Sequence, residues 1–600
     1  MLLSSIDWII ISIFFIIVLG IGWAASRTAG KDTSEFFLGG RSMPWWLLGV
    51  SMVACTFSAD TPNLVTGMVR EGGVVKNWAW WAFLITGMVT VFIYAKLWRR
   101  SQVMTDLEFY ELRYTGKAAS FLRGFRSLYL GIFFNCLIMG TVTLAAIKIA
   151  AVMFGISPIV TVVCASVGVV IYASLGGIKG VIWADFFQYG IAMLGAVYAA
   201  VVAVRQPEVG GLRNLFTHPT IQDKLSILPD FGDPSVFVPL LIIPIAVQWW
   251  AVWYPGAEPG GGGYIAQRML SAKDEKNAIG ATLFFNFAHY ALRPWPWIIV
   301  ALASMLIFPD LASIKQEFPG ITDQYLGNDV AYPAMLTRLG PGWLGLVVAS
   351  LIAAYMSTIG THLNWGSSYV VNDFYRRFVK SDASEKELVT VGRISTVTLM
   401  ILAGFFALTI LENATQAFNI LLLSGAGSGA IYLLRWFWWR INAWTEIVAM
   451  IGATITAFVL ILVVPDEAMA NSVLDGFTMK LLTAVVVTSV VWIVTTYVTQ
   501  PEPLEHLKKF YKLTHPGGPG WKNVVEQARQ QGDPIEKEGA KWDVPHGLMS
   551  VVLGCLGIYG ALFSIGNFVY GNTQYGILMA AICGVCIFLL MRLWTKLNIE

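Results

Sequence analysis

The sequence predicts an all-α polytopic membrane protein, and three observations carry that prediction. Hydrophobic residues make up 56% of the 600 and charged residues 13%, roughly half the charged share of a soluble domain. Mean hydropathy is +0.64. Apolar windows of about twenty residues, long enough to cross a bilayer as helices, recur along the whole chain. The formal net charge of +3 gives no sign of nucleic-acid binding.

In chain order the windows fall near 6–27, 45–69, 76–98, 125–154, 157–175, 180–204, 234–254, 278–308, 342–366, 389–411, 418–437, 444–464, 477–499, 547–567 and 574–595. The first is too long for a cleaved leader and lacks its basic start and small-residue cleavage site. The second is interrupted by Ala54-Cys55-Thr56-Phe57-Ser58-Ala59-Asp60-Thr61-Pro62. Pro62 has no amide proton to continue a helix, so a break near Asp60 is expected. The fourth holds Lys148 near its outer end, where a long side chain can snorkel to the interface. The sixth opens with Asp185, which could cap its start and complement the helix dipole.

The seventh window, with Gln248, Trp249 and Trp250, ends in a second interruption, Trp253-Tyr254-Pro255-Gly256-Ala257-Glu258-Pro259-Gly260-Gly261-Gly262-Gly263. Two prolines and five glycines in eleven residues cannot hold an α-helix. The ninth carries Ala354-Tyr355-Met356-Ser357-Thr358, two hydroxyls in an apolar run. Such hydroxyls usually bond the carbonyl one turn back. Opposite a broken helix they could instead join free carbonyls and strip water from a small hard cation. Two interrupted segments five spans apart point to an inverted-repeat transporter, with spans two to six facing spans seven to eleven.

Loop charge orients the chain. Lys96, Arg99, Arg100, Arg113, Lys117, Arg123 and Arg126 follow the third span, and Arg268, Lys273, Lys276, Arg376, Arg377 and Lys380 fall on the same side. Asp310, Glu317, Asp323, Asp329, Asp466, Glu467 and Asp475 fall on the other. The N-terminus is therefore expected outside and the C-terminus in the cytoplasm, in a plasma (inner) membrane. Residues 500–546, with His506, His515 and His546, read as a cytoplasmic connector ahead of two further helices. Cys583 and Cys586 form a C-x-x-C inside an apolar span with no further ligands, which suits packing rather than metal.

Four ordered motifs resemble the sodium:solute symporter family, relatives of the sodium/glucose and sodium/proline symporters. They are Phe36-Phe37-Leu38-Gly39-Gly40-Arg41-Ser42-Met43-Pro44-Trp45-Trp46, then Gly176-Gly177 followed by Val181-Ile182-Trp183-Ala184-Asp185 and Gln188. The third and fourth are Gly262-Gly263-Tyr264-Ile265-Ala266-Gln267-Arg268-Met269-Leu270-Ser271-Ala272-Lys273 and Asn372-Asp373-Phe374-Tyr375. The resemblance implies a leucine-transporter-type core of five plus five helices, with repeats over 44–204 and 234–440. An extra helix over 1–30 would precede it. Peripheral helices over 441–499, the connector over 500–546 and two helices over 547–600 would follow. It also implies a sodium ion as coupling ion, held by the carbonyls of Ala54, Phe57 and Ala354 and the hydroxyls of Ser357 and Thr358. Five neutral oxygens suit a monovalent cation that must also be released. A second sodium in some members would map to Asp185, Ser357, Gly360 and Thr361, and Gly360 brings no hydroxyl.

Sugar-carrying relatives use a Gln and a Glu near the first two core helices, and an Asn and a Tyr in the sixth. Here the corresponding regions offer Asp60, Thr61 and Asn77, then Gln248, Trp253, Tyr254 and Glu258. Arg293, between Leu292 and Pro294, could pair with Asp60 or Glu258, receive an anionic solute, or snorkel among tryptophans. Aromatic density favours a sugar or sugar-like polyol as the small-molecule partner, with nucleosides, amino acids and carboxylates behind it. The lipid bilayer and sodium are the other partners, and no obligate protein partner is evident. An ion channel is disfavoured by the lack of a repeated filter segment or charged ring. A sensor or enzyme is disfavoured because 500–546 is short and carries no nucleophile–base or phosphate-loop pattern.

Overall fold

The computed structural model describes residues 3–29, 38–103, 105–173, 178–254, 256–536 and 542–597, and they are helical apart from connections and two isolated β-bridges. Of the motif residues, Phe36, Phe37, Gly176, Gly177 and Pro255 lie outside the described residues, as does 537–541 of the connector. Helix dominates because hydrocarbon offers backbone groups no partner, so each segment must bond within itself. Eleven described helices are long and apolar enough to cross a bilayer, and four shorter apolar helices accompany them.

In order the helices are α1 (Ser5–Ala29), α2 (Trp45–Thr56), α3 (Asp60–Gly72), α4 (Val74–Ser101), α5 (Gly116–Phe154), α6 (Pro158–Ala173) and α7 (Ile178–Val204). Then come α8 (Pro234–Ala251), α9 (Gly263–Ser271), α10 (Glu275–Ile307), α11 (Trp343–Val379), α12 (Glu385–Thr409), α13 (Ala414–Ser424) and α14 (Gly429–Phe437). Last are α15 (Ala443–Leu462), α16 (Gly476–Val498), α17 (Leu504–Thr514), α18 (Lys522–Gln530), α19 (Val544–Val569) and α20 (Thr573–Trp594).

The most apolar stretches of α4 and α11 are 83% buried, whereas that of α20 is 11% buried. The first two are therefore core and the last faces lipid. α2 packs on α7 and α10, α3 on α10 and α13, and α7 on α11. α1 lies against α7 and α11, where buried Asp7 accepts the amides of Gly342 and Gly345 at 2.7 Å each, capping the start of α11.

Both expected breaks are present. α2 stops at Thr56 and α3 resumes at Asp60, with Pro62 in its first turn. The chain leaves α8 at Ala251 and resumes as α9 at Gly263. A third break was not expected: the window read as one span over 418–437 divides into α13 and α14 around Gly425–Ser428. The second and third breaks satisfy each other. Trp253 N donates to Gly425 O at 3.2 Å, Gly427 N donates to Ala251 O at 2.8 Å, and Val252 bridges Ala426. A Cβ on Gly425 would collide with the Trp253 backbone, so glycine is what lets the two strands approach.

Lys148 does not snorkel. It is 1% exposed and donates to Asp329 Oδ1 and Oδ2 at 2.8 and 2.7 Å. A buried carboxylate within reach outweighs the interface, because neither charge could otherwise be tolerated there. Asp329 also accepts the Ala414 amide at 3.3 Å, at the start of α13. The connector is folded rather than loose: Trp521 donates to the Trp436 carbonyl at 2.8 Å, and Trp439 N donates to Gly520 O at 3.2 Å, seating 504–530 on the end of α14.

Candidate functional site

A cavity of about 110 Å³ lies where α3, α4, α5, α10, α11 and α13 converge on the two breaks of α2/α3 and α8/α9. Its wall includes Thr56, Ser58, Asp60 and Thr61 from the first break, Tyr254, Gly256 and Ala257 from the second, and Thr358 and His362 from α11. Trp80 stacks on Tyr290, with ring centroids 5.8 Å apart, and Phe83 stacks on Tyr254 at 5.2 Å. Phe418 meets Tyr254 edge-on at 5.2 Å. A π-helical turn over Ala288–Leu292 and the proline after Arg293 widen α10 where His289, Tyr290 and Arg293 reach the cavity.

The two loci expected to hold the cation are joined. Ser357 Oγ donates to Asp185 Oδ1 at 2.6 Å, while Ser51 Oγ, one turn before Cys55 on α2, donates to Asp185 Oδ2 at 2.7 Å. Asp185 is buried within α7, well past its start at Ile178, so it does not cap that helix. Instead it ties α2 to α11, with Arg268 Nη2 4.0 Å away and donating to Cys55 Sγ at 2.9 Å.

Apart from Ser357, the serine and threonine hydroxyls of α11 divide into two groups. Ser350, Ser367 and Ser368 donate to carbonyls three residues back, as helical hydroxyls commonly do. Thr358 Oγ1 and Thr361 Oγ1 are buried and have no hydrogen-bond partner. Buried polar atoms without a partner are costly and normally rare. Ala54 and Phe57 flank the end of α2, with Ala54 O accepting Phe57 N at 3.0 Å, and Ala354 lies one turn before Thr358.

The candidate solute residues separate. Asp60, Thr61, Tyr254 and Arg293 line the cavity. Asn77 is buried elsewhere, donating to Val74 O and accepting Trp80 Nε1. Gln248 donates to Ala79 O at 2.5 Å. Trp253 turns away and donates to Glu258 Oε2 at 2.6 Å. Glu258 faces Arg126 at 3.4 Å and Arg435 at 3.5 Å, and both arginines also face Glu446 at 3.7 Å. A carboxylate placed between two guanidiniums supplies them with a counter-charge, although Arg126 Nε and Nη1 and Arg435 Nε stay without a hydrogen-bond partner. Arg293 is 1% exposed, so it does not snorkel, and it makes no ion pair with Asp60 or Glu258 among the described residues.

Sequence reasoning missed His289 and His362. His289 Nδ1 lies 3.0 Å from Thr56 Oγ1 and its Nε2 3.2 Å from Arg293. His362 Nδ1 meets Asn135 Oδ1 at 2.7 Å, while Asn135 donates back to the His362 carbonyl. The signal for His362 was its helical spacing from Thr358, one turn on along the same face.

The profile of the sodium:solute symporter family matches residues 36–455. The chain belongs to that family. This symporter is 26% identical over 469 residues to the sodium/glucose cotransporter of Vibrio parahaemolyticus, a match covering 75% of this chain and 84% of that protein. It is 25% identical over 476 residues to sodium/glucose cotransporter 1 of Oryctolagus cuniculus, covering 73% and 69%. The sodium/myo-inositol cotransporter of Bos taurus matches at 26%, covering 73% and 64%. The structure of a substrate-bound, outward-open Na+-coupled sialic acid symporter shares the fold, with a TM-score of 0.63 at 21% identity, covering 83% of this symporter and 99% of that chain. Sodium is thus the coupling ion and a small solute the cargo of a multi-pass membrane protein.

Proposed function

We propose that this symporter imports a sugar or sugar-like polyol with sodium by alternating access, across a plasma (inner) membrane with its N-terminus outside and C-terminus in the cytoplasm. No chemical reaction is assigned to it. Two five-helix repeats over 44–204 and 234–440 form the moving core, and 1–30, 441–499, 500–546 and 547–600 surround it. The names of the relatives, sodium cotransporters of glucose, mannose and myo-inositol, support the solute class. So do the stacked rings of Trp80, Tyr290, Phe83 and Tyr254, whose faces suit sugar C–H surfaces.

The observation that carries the reading is the pair of unpartnered buried hydroxyls, Thr358 and Thr361, on the helix facing the α2/α3 break. Sodium would be held by the carbonyls of Ala54, Phe57 and Ala354 with the hydroxyls of Ser357 and Thr358. Ser357, donating its hydroxyl hydrogen to Asp185, would offer its lone pairs to the ion. A second sodium would take Asp185 and Thr361, and the Arg268 guanidinium, 4.0 Å from Asp185, would compete with it for the carboxylate. One sodium per cycle is the stoichiometry this arrangement favours.

Outside sodium would order the break near Asp60 and hold the cavity open to the exterior. Solute then binds, the repeats rock inward, and low internal sodium lets the ion leave. A membrane potential of about 100 mV supplies about 2.3 kcal/mol per sodium charge. Uptake of labelled glucose and myo-inositol into proteoliposomes tests the reading. Saturable accumulation that requires an inward sodium gradient supports it, and accumulation unchanged by collapsing that gradient contradicts it.

A further inference from the structure

Several buried or half-buried cations of the helical core meet carboxylates. Lys148 has Asp329, Arg123 has Asp373 at 2.5 Å, and Arg126 and Arg435 share Glu258 and Glu446. Arg293 does not. Its Nη1 donates to Thr56 Oγ1 and its Nη2 faces His289 Nε2, each at 3.2 Å, and its Nε has no partner. On the same cavity wall Asp60 Oδ1 is buried and also unpartnered.

Two opposite charges therefore face one cavity without touching each other. A buried charged atom without a partner is expensive, and the cost is relieved when a ligand reaches it. His289 adds no third charge: its Nε2 faces a guanidinium, which only donates, so Nδ1 carries the proton and the ring is neutral. The other lining groups near the pair are hydroxyls, a thiol and aromatic rings, with His362 held by Asn135.

We propose that Asp60 and Arg293 are the two poles of a charge-balanced solute site that selects molecules of zero net charge. Asp60 accepts hydrogen bonds from the donor end of the solute, and Arg293 donates to its acceptor end. The inference rests on the polyol reading above for which neutral molecule binds. A neutral polyol offers a hydroxyl to each pole. An anion gains at Arg293 but confronts Asp60, and a cation does the reverse. In a site of low dielectric that confrontation is weakly screened.

The test compares matched series on the full chain in proteoliposomes with sodium. One series is glucose, glucuronate and glucosamine in its ammonium form; the other is glutamine, glutamate and lysine. Competition against the best-transported member and sodium-dependent thermal shifts give affinities. The expected result is that the net-neutral member binds at least about tenfold more tightly than either charged analogue, about 1.4 kcal/mol. Asp60→Asn should narrow or reverse the preference against the anion only, and Arg293→Gln that against the cation only. Neutral preference in the amino-acid series alone would overturn the polyol reading and leave the charge pairing standing. A charged member binding as well as its neutral counterpart, or no binding in either series, would overturn the proposal. If a substitution prevents folding, the wild-type series decides.

Discussion

Asp185 accepts the Ser357 hydroxyl at 2.6 Å across 172 residues of sequence, and through Ser51 at 2.7 Å it fixes the broken helix against the same point. A carboxylate that receives this proton turns the serine oxygen's lone pairs away from itself. Asp185→Asn would offer an amide donor in its place and misorient that oxygen. The sodium concentration for half-maximal uptake should rise about tenfold, a loss of about 1.4 kcal/mol. Uptake at saturating sodium should fall much less. Sodium titration of initial rates checks this.

Lys148 and Asp329 are a buried pair, their side chains 0% and 4% exposed. Lys148→Met leaves an uncompensated carboxylate and should cost about 3–5 kcal/mol. Adding Asp329→Leu to it should recover much of that loss. Thermal unfolding of the single and double variants in detergent measures both.

Glu258 balances Arg126 and Arg435 outside the solute cavity. Glu258→Gln should lower thermal stability by several degrees, since it leaves two guanidiniums short of a counter-charge. Relative affinities across a set of sugars should stay within about twofold, because a change of that size is below 0.5 kcal/mol. A changed sugar preference would return Glu258 to the solute site.

Gly425 is where the break between α13 and α14 meets Trp253. Gly425→Ala places a methyl group against backbone atoms that cannot move aside without losing the paired bonds at Gly425 and Gly427. Expression of folded protein should drop sharply, by the overpacking cost of about 1–3 kcal/mol or more. Gly452→Ala, with only a side-chain contact at 3.8 Å, should be tolerated, and size-exclusion profiles compare them.

Most of the architecture was legible because bilayer crossing imposes length and apolarity on every span, and Pro62 and the Pro259–Gly263 run announce two breaks. The third break was hidden because Gly425 and Gly427 sit in an otherwise apolar window, and their role depends on Trp253, far away in sequence. Asp60, Thr61, Tyr254 and Arg293 line the cavity. Asn77, Gln248, Trp253 and Glu258 lie off its wall: Gln248 is held by Ala79, 169 residues away, whereas Asn77 and Trp253 are held by neighbours three and five residues off, pairings that residue type alone does not reveal. Lys148 misled because its partner lies 181 residues on. Hydroxyl spacing on α11 was readable and the family resemblance set Asp185 beside Ser357, whereas the second bond, from Ser51 on α2 to Asp185, was not.

The central claim is that the α2/α3 break and the α11 hydroxyls replace the hydration shell of sodium. Initial rates of solute uptake against external sodium, for wild type and Ser357→Ala/Thr358→Ala, test it most directly. The account predicts that the double variant folds and reaches the membrane, yet loses sodium-stimulated accumulation or needs at least about a hundredfold more sodium, about 2.8 kcal/mol. A variant whose sodium dependence matched that of the parent protein would contradict it.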